Sequence, residues 1–214
     1  MGKLFFMPVL KKIILILFVL NVPVAFTISA QYKILLLNSN ERVVSKYELR
    51  GTELVYKKPD DKKNKVHKID RYGVFSVTDS TGKEEIIYSP FDTIQDLSPE
   101  RMRVFIKGEK FAAENYRVPF GIKAESFIVS AGAGLLNIYG TPVPFANAAV
   151  VQMFPPDMPR GLQSPPAETD NKDFIEGYKY KAKKRKIEQS LLWGGIGFTI
   201  GFTAFAIIIP NTMK

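Results

Sequence analysis

The sequence predicts a mainly β exported domain, a small antiparallel meander or SH3-like barrel, followed by two C-terminal transmembrane helices. Three observations predict it. The N-terminus has the layout of an export signal. Short β-branched and aromatic segments alternate with turn residues between 32 and 88. Residues 126–156 and 190–213 contain no Asp, Glu, Lys, Arg or His.

Lys3, Lys11 and Lys12 precede an apolar run at 13–20, a break at Pro23, and the small residues Ser29 and Ala30. That is the order of a signal peptide over residues 1–30, with cleavage after Ala30. Removing it leaves 27 bases against 21 acids, so the formal +9 of the whole chain falls to +6. An exported chain does not meet nucleic acid, and none is expected as a partner. The absence of cysteine excludes disulfides, thiolate nucleophiles and iron–sulfur clusters, and the single histidine, His67, excludes multi-histidine metal centres within one chain.

A small β domain is expected over 31–107, with strands at 32–37, 42–49, 53–58, 65–70, 74–78 and 85–88. Turn chemistry separates them: Asn38-Ser39-Asn40, Arg50-Gly51, Pro59-Asp60-Asp61 and Asp79-Ser80-Thr81-Gly82. A sheet this small hides its edges by curling. Ser98-Pro99-Glu100 reads as a helix cap or a turn ahead of one more strand at 102–107. A short helix and connector follow over 108–125. Lys57, Lys58, Lys62, Lys63, Lys65, Lys68 and Arg71 surround one turn, and they read as a solvated hairpin tip because residues 31–106 carry 14 bases against 12 acids. His67 falls on a strand among them, at the surface.

Residues 126–154 form the first hydrophobic segment, expected to cross a membrane as a kinked helix or to enter it as a re-entrant segment, since Asn137, Pro142, Pro144 and Asn147 interrupt it. Residues 155–189 read as a proline-rich and then basic loop, its last part, 178–190, a basic juxtamembrane helix. Residues 190–210 form the second transmembrane helix. The 19 nearly continuous apolar residues at 191–209 span about 28 Å at about 1.5 Å each, the thickness of a hydrocarbon core. Trp193 stands where an interfacial aromatic belongs.

Charge supplies a topology. Lys179, Lys181, Lys183, Lys184, Arg185 and Lys186 would sit outside the inner membrane if only the second stretch crossed, against the positive-inside rule. Two spans put that basic run in the cytoplasm and the β domain in the periplasm, which is the expected localisation, ahead of outer-membrane association. The same bases suit anionic lipid headgroups. Gly132, Gly134, Gly194, Gly195, Gly197 and Gly201 are the candidate membrane-packing residues, because small side chains let helix backbones approach in lipid. Whether such contacts lie within one chain or between chains stays open.

The succession of export signal, meander with Glu53-Leu54-Val55-Tyr56-Lys57-Lys58, glycine-rich hydrophobic stretch, proline-rich link, Phe174-Ile175-Glu176-Gly177-Tyr178-Lys179, Ala182-Lys183-Lys184, Trp193-Gly194 and a last apolar segment resembles uncharacterised small envelope proteins of Bacteroidota-type bacteria. The resemblance implies an envelope location and a β domain coupled to a membrane hairpin; it carries no activity.

No catalytic constellation is present: there is no Gly-x-Ser-x-Gly elbow, phosphate loop, complete dinucleotide fingerprint or HExxH. The adjacent carboxylates Asp60-Asp61 and Glu84-Glu85 would point to opposite faces of a strand. No catalytic residue, metal or cofactor is therefore expected. The expected function is that of a non-enzymatic cell-envelope membrane protein whose exported β domain is an interaction module anchored by a glycine-rich hairpin, working with membrane lipids and with an envelope protein partner or a second copy, as a subunit of a larger assembly. Transmembrane signalling and lipid handling or transport are the alternatives.

Overall fold

The computed structural model describes residues 31–59, 61, 65–91, 96–154, 156, 158 and 166–212. The export-signal reading, Asp60, Lys62, Lys63 and much of the proline-rich link lie outside them. Residues Gln31–Lys214 form one compact unit.

Among the described residues seven strands open it: β1 (Tyr32–Leu36), β2 (Glu41–Val44), β3 (Lys46–Arg50), β4 (Glu53–Lys57), β5 (Val66–Asp70), β6 (Val74–Thr78) and β7 (Glu84–Ile86). They pair antiparallel in two sheets, ordered β2-β1-β6-β7 and β3-β4-β5. The expected strand at 42–49 is divided at Ser45, whose backbone N–H donates to the Lys57 carbonyl at 2.9 Å as the chain passes from one sheet to the other. The turn residues act as their chemistry dictates. Gly51 and Gly82 take φ of +58° and +85°, a region that costs glycine nothing. The Asp79 carboxylate accepts from the N–H groups of Thr81 and Lys83. Both sheets close on one core of Ile34, Leu36, Val44, Leu54, Tyr56, Val74, Val77 and Ile87. Burying side chains of this size stabilises the fold by about 1.5–3 kcal/mol each before chain entropy is counted.

The strand expected at 102–107 is not formed. Pro99–Asn115 is one α-helix, α1, capped by the Ser98 hydroxyl with proline in its first turn. Met102, Phe105, Ile106, Glu109, Ala112 and Tyr116 recur at helical spacing and turn one face inward, which outweighs the two-residue alternation of Met102, Val104 and Ile106. Pro119 ends this run, and a second helix, α2 (Phe120–Gly134), starts directly after it.

The first hydrophobic segment is not a span. It breaks into α2, a 3-10 turn at Asn137–Gly140 and α3 (Val143–Gln152). At about 1.5 Å per residue these 15- and 10-residue helices reach about 22 and 15 Å, short of the roughly 30 Å of a hydrocarbon core. Pro142 and Pro144 set the second break. The last helix, α4 (Lys172–Thr212), is 41 residues long, so what was expected as a basic loop leading to a separate helix is continuous with it from Lys172 onward. Among the described residues α4 is the one helix long and apolar enough to cross a membrane, where two were expected.

α1 and α2 run parallel to α4 at a nearly constant offset. Arg101 meets Asp173, Phe105 meets Gly177, Phe127 meets Gly197 and Ala131 meets Gly201. α3 returns the other way, with Pro144 beside Gly194 and Phe154, just past its end, beside Lys186. α2 and α3 are thus a helical hairpin lying on the second half of α4, and both its ends are level with the polar first half.

Candidate functional site

The first half of α4 belongs to the polar body. Tyr178 and Ala182 are buried against Ala112 and Tyr116 of the α1 segment, and the buried Phe174 packs on Phe111. Arg101 grips the Asp173 carboxylate in a two-pronged pair at 2.9 and 2.7 Å. Gly108 and Gly177 allow backbone contact between α1 and α4: a Cβ on Gly108 would stand 2.1 Å from the Phe174 carbonyl oxygen, and one on Gly177 would stand 2.0 Å from that of Phe105.

The sheets dock on the same helices through ions. Arg103 pairs with Glu84 at 2.8 Å and covers the buried Phe75 ring, while Lys110 and Lys33 both bind Glu41. Those two ammonium groups, Lys110 first, hold the Glu41 carboxyl below its usual range. Glu85, on the opposite face from Glu84, accepts from the Tyr47 hydroxyl. His67, expected at the surface, is instead partly buried: it stacks on Tyr56 with its shielded Nε2 3.5 Å from Asp61.

One buried acid stands apart. Glu109 is 1% exposed, in the seam between the β1–β2 turn and α4, and its Oε2 has no hydrogen-bond partner among the described residues. Burial pushes its carboxyl up from the ordinary range, and Lys181, the Ser39 hydroxyl and Lys184 pull the other way. Lys181 spends its own ammonium on the Asn38 carbonyl at 3.0 Å.

Beyond Lys186 the character changes. The hairpin and the second half of α4 make a three-helix end whose outer surface is apolar: Ile128, Leu136, Ile138, Phe145, Val150, Leu192, Ile196, Ile200 and Phe202 are all exposed. A patch of this extent requires a cover, because a water-facing surface leaves it unpaid in hydrophobic free energy. Three of the few polar side chains inside bond one another, while the buried Ser130 hydroxyl has no side-chain hydrogen-bond partner among the described residues. The Ser126 and Ser190 hydroxyls lie 2.8 Å apart, and the Asn147 amide donates to Ser126 at 3.1 Å.

Four of the six candidate glycines pack inside this end. A Cβ on Gly197 or Gly201 would come within 2.2 or 2.0 Å of the Phe127 or Ala131 carbonyl oxygen, one on Gly134 within 2.4 Å of that of Phe198, and one on Gly194 within 3.0 Å of the Ser130 hydroxyl. Their contacts are therefore within one chain. Gly132 and Gly195 face open space.

The six candidate bases divide in the same way. Arg185 donates through Nη1 to the carbonyls of Ala112, Ala113 and Tyr116 at 3.2, 2.6 and 3.1 Å, capping the C-terminus of α1. Lys186 is 6% exposed and donates to the Phe154 carbonyl just past the C-terminus of α3, where the helix dipole is negative. With Lys181 they are structural clamps. Lys179, Lys183 and Lys184 remain at the surface.

On the β side, Leu37, Arg71, Tyr72, Tyr88, Phe91 and Met102 line an open groove of about 530 Å³, with Tyr72 and Phe91 largely exposed. Sequence reading missed this groove, Glu109, the Gly108–Gly177 crossing and the Ser126–Ser190–Asn147 cluster. Only the crossing left a trace, as lone glycines inside helical patterns. No family model matches the chain, and no curated protein or solved structure matches it either.

Proposed function

We propose that the chain is a membrane-anchored, non-enzymatic envelope protein whose β-and-helix body is an interaction module. One observation carries this reading: a single unbroken helix is buried in the polar body over its first half and displays an apolar, charge-free surface over its second. A bilayer is the cover that suits an apolar, charge-free belt whose helices satisfy their own backbone and whose Ser126, Ser190 and Asn147 side chains pair inside. On this reading residues from Ser190 onward cross once, and the α2–α3 hairpin is re-entrant, entering and leaving on the side of the body.

The barrel of the SH3-like kind fits β1 pairing with both β2 and β6 and the corner at Ser45. The aromatic groove beside Arg71 is the surface we assign to an envelope partner, in keeping with the resemblance to small envelope proteins of Bacteroidota-type bacteria.

A single span puts the bases of α4 on the same side as the body, which an exported body would carry against the positive-inside rule. Two facts reduce that conflict. Lys181, Arg185 and Lys186 are folded into the body, and long domains translocate largely regardless of charge once an N-terminal signal has engaged. We therefore keep the body in the periplasm and the anchor in the inner membrane.

Reporters active only outside the cytoplasm, fused after Tyr88, Arg160 and Lys214, test this directly. The expected pattern is outside, outside, inside, with wild type resisting carbonate extraction. Opposite sides for Tyr88 and Arg160 would overturn the single span, and release by carbonate would overturn the anchor.

A further inference from the structure

At the level where the polar body ends, a pocket of about 340 Å³ opens between the α1–α2 break and α4, walled by Tyr116, Arg117, Lys123, Arg185, Glu188 and Gln189. Three cations face one carboxylate. Neither Arg117 nor Lys123 makes an ion pair among the described residues. Arg185 is held in place by its three carbonyl contacts, all through Nη1, which leaves the N–H groups of Nε and Nη2 without a protein acceptor among the described residues. A guanidinium fixed on one edge and unspent on the other is preorganised for an anion with several acceptor oxygens.

The pocket's depth and its continuation say which anion. Glu188 and Gln189 directly precede Ser190, where the charge-free stretch begins, and Trp193 follows within one turn. Immediately below, Leu192, Gly195, Ile196 and Thr199 line an open apolar furrow of about 500 Å³. Residues 188, 192, 195 and 199 follow the i, i+4, i+7, i+11 spacing of one helix face, so the furrow continues the wall that Glu188 gives the pocket. The missing side chain of Gly195 is what opens it.

We infer that this pocket binds the phosphate of an anionic phospholipid, held by Arg117, Lys123 and the fixed Arg185, with an acyl chain lying in the furrow over Gly195. The inference rests on the membrane reading above. It moves the lipid contact away from most of the basic run of α4, whose inner members are clamps, to bases contributed by the α1–α2 break.

The test is native mass spectrometry of the full chain purified in detergent, offered phosphatidylglycerol or phosphatidylcholine. Wild type is expected to retain phosphatidylglycerol in preference. Arg117→Gln with Lys123→Gln should lower retention about 25-fold, from about fivefold per base near the surface. Lys172→Gln with Lys179→Gln removes the same charge about 14 to 24 Å up the helix from Glu188 and should change retention less than twofold. Gly195→Leu should lower retention while leaving every base in place.

Equal losses in the two double variants, or equal retention of the two lipids by wild type, would overturn the inference. Displacement of the lipid by millimolar inorganic phosphate would show a free-anion site and overturn the lipid assignment. Release of wild type by carbonate would instead sink the anchor itself, whereas a carbonate-resistant protein with no lipid preference fails this pocket alone.

Discussion

Gly177→Ala is the substitution whose outcome the α1–α4 crossing fixes most closely. In an open helix the exchange stabilises, since alanine has the better helix propensity by about 1 kcal/mol. At Gly177 the new Cβ would stand 2.0 Å from the Phe105 carbonyl oxygen and 3.1 Å from the Phe105 Cα. Both obstacles are backbone, so no rotamer change relieves them. An ordinary contact needs about 3.4 Å or more, and α1 must therefore retreat by more than an ångström. That retreat loosens Phe174, Tyr178 and Ala182, all buried at the same crossing, and strains the two-pronged Arg101–Asp173 pair.

Overpacking of a tight core costs about 1–3 kcal/mol, and an obstacle made of backbone belongs at the upper end. Less the propensity gain, the net loss is about 2 kcal/mol, or about 4–8 °C in Tm for a chain of this size. The assay is thermal unfolding of the full chain in detergent, followed by circular dichroism. Gly195→Ala, with nothing within 4 Å of its added methyl, is the matched control and should not lose stability. A Gly177→Ala protein as stable as wild type would refute the close crossing.

Two further outcomes follow from side chains already described. Arg185→Gln should lower Tm by about 4–8 °C, because hydrogen bonds to a charged group contribute about 1.5–3 kcal/mol and three carbonyls lose their donor, while Arg185→Lys should recover part of the loss. Glu109→Gln should stabilise at neutral pH. Burial raises the folded-state pKa of Glu109 above its unfolded value, so the wild-type carboxyl favours folding when protonated and that contribution is lost as pH rises through the folded pKa. The advantage of Gln should therefore be largest at pH 8 and vanish below about pH 4, near the unfolded pKa. An advantage independent of pH would show that the carboxyl is not buried as a charge-disfavouring group.

The strands were legible because their signals are local. Val, Ile and Tyr side chains between Asx and glycine turns specify β4, β5 and β6 to within a residue, and only the corner at Ser45, which depends on the second sheet, escaped. Helix α1 was misread because Met102, Val104 and Ile106 alternate within a longer 3.6-residue pattern that ends at Tyr116. The two-span expectation failed for a different reason. Hydropathy and charge report what a segment can face but not whether it doubles back, and the return through Asn137–Gly140 is fixed by tertiary contact of Gly134 and Gly201. The basic run had the same limit: composition showed six bases, and only packing shows that Lys181, Arg185 and Lys186 close carbonyls inside the fold.

The hairpin's depth sets how such an anchor would share out the two halves of a bilayer. Its tip contacts α4 at Gly201, eleven residues past Ser190, or about 17 Å along the axis, close to the midplane of a core about 30 Å thick. Three helices then occupy the leaflet nearer the body and one helix occupies the other. The cross-section is a wedge, broad beneath the β body and narrow beyond it. A sheet of lipid relieves that area mismatch by bending, and the protein would collect where the body-side leaflet is already stretched.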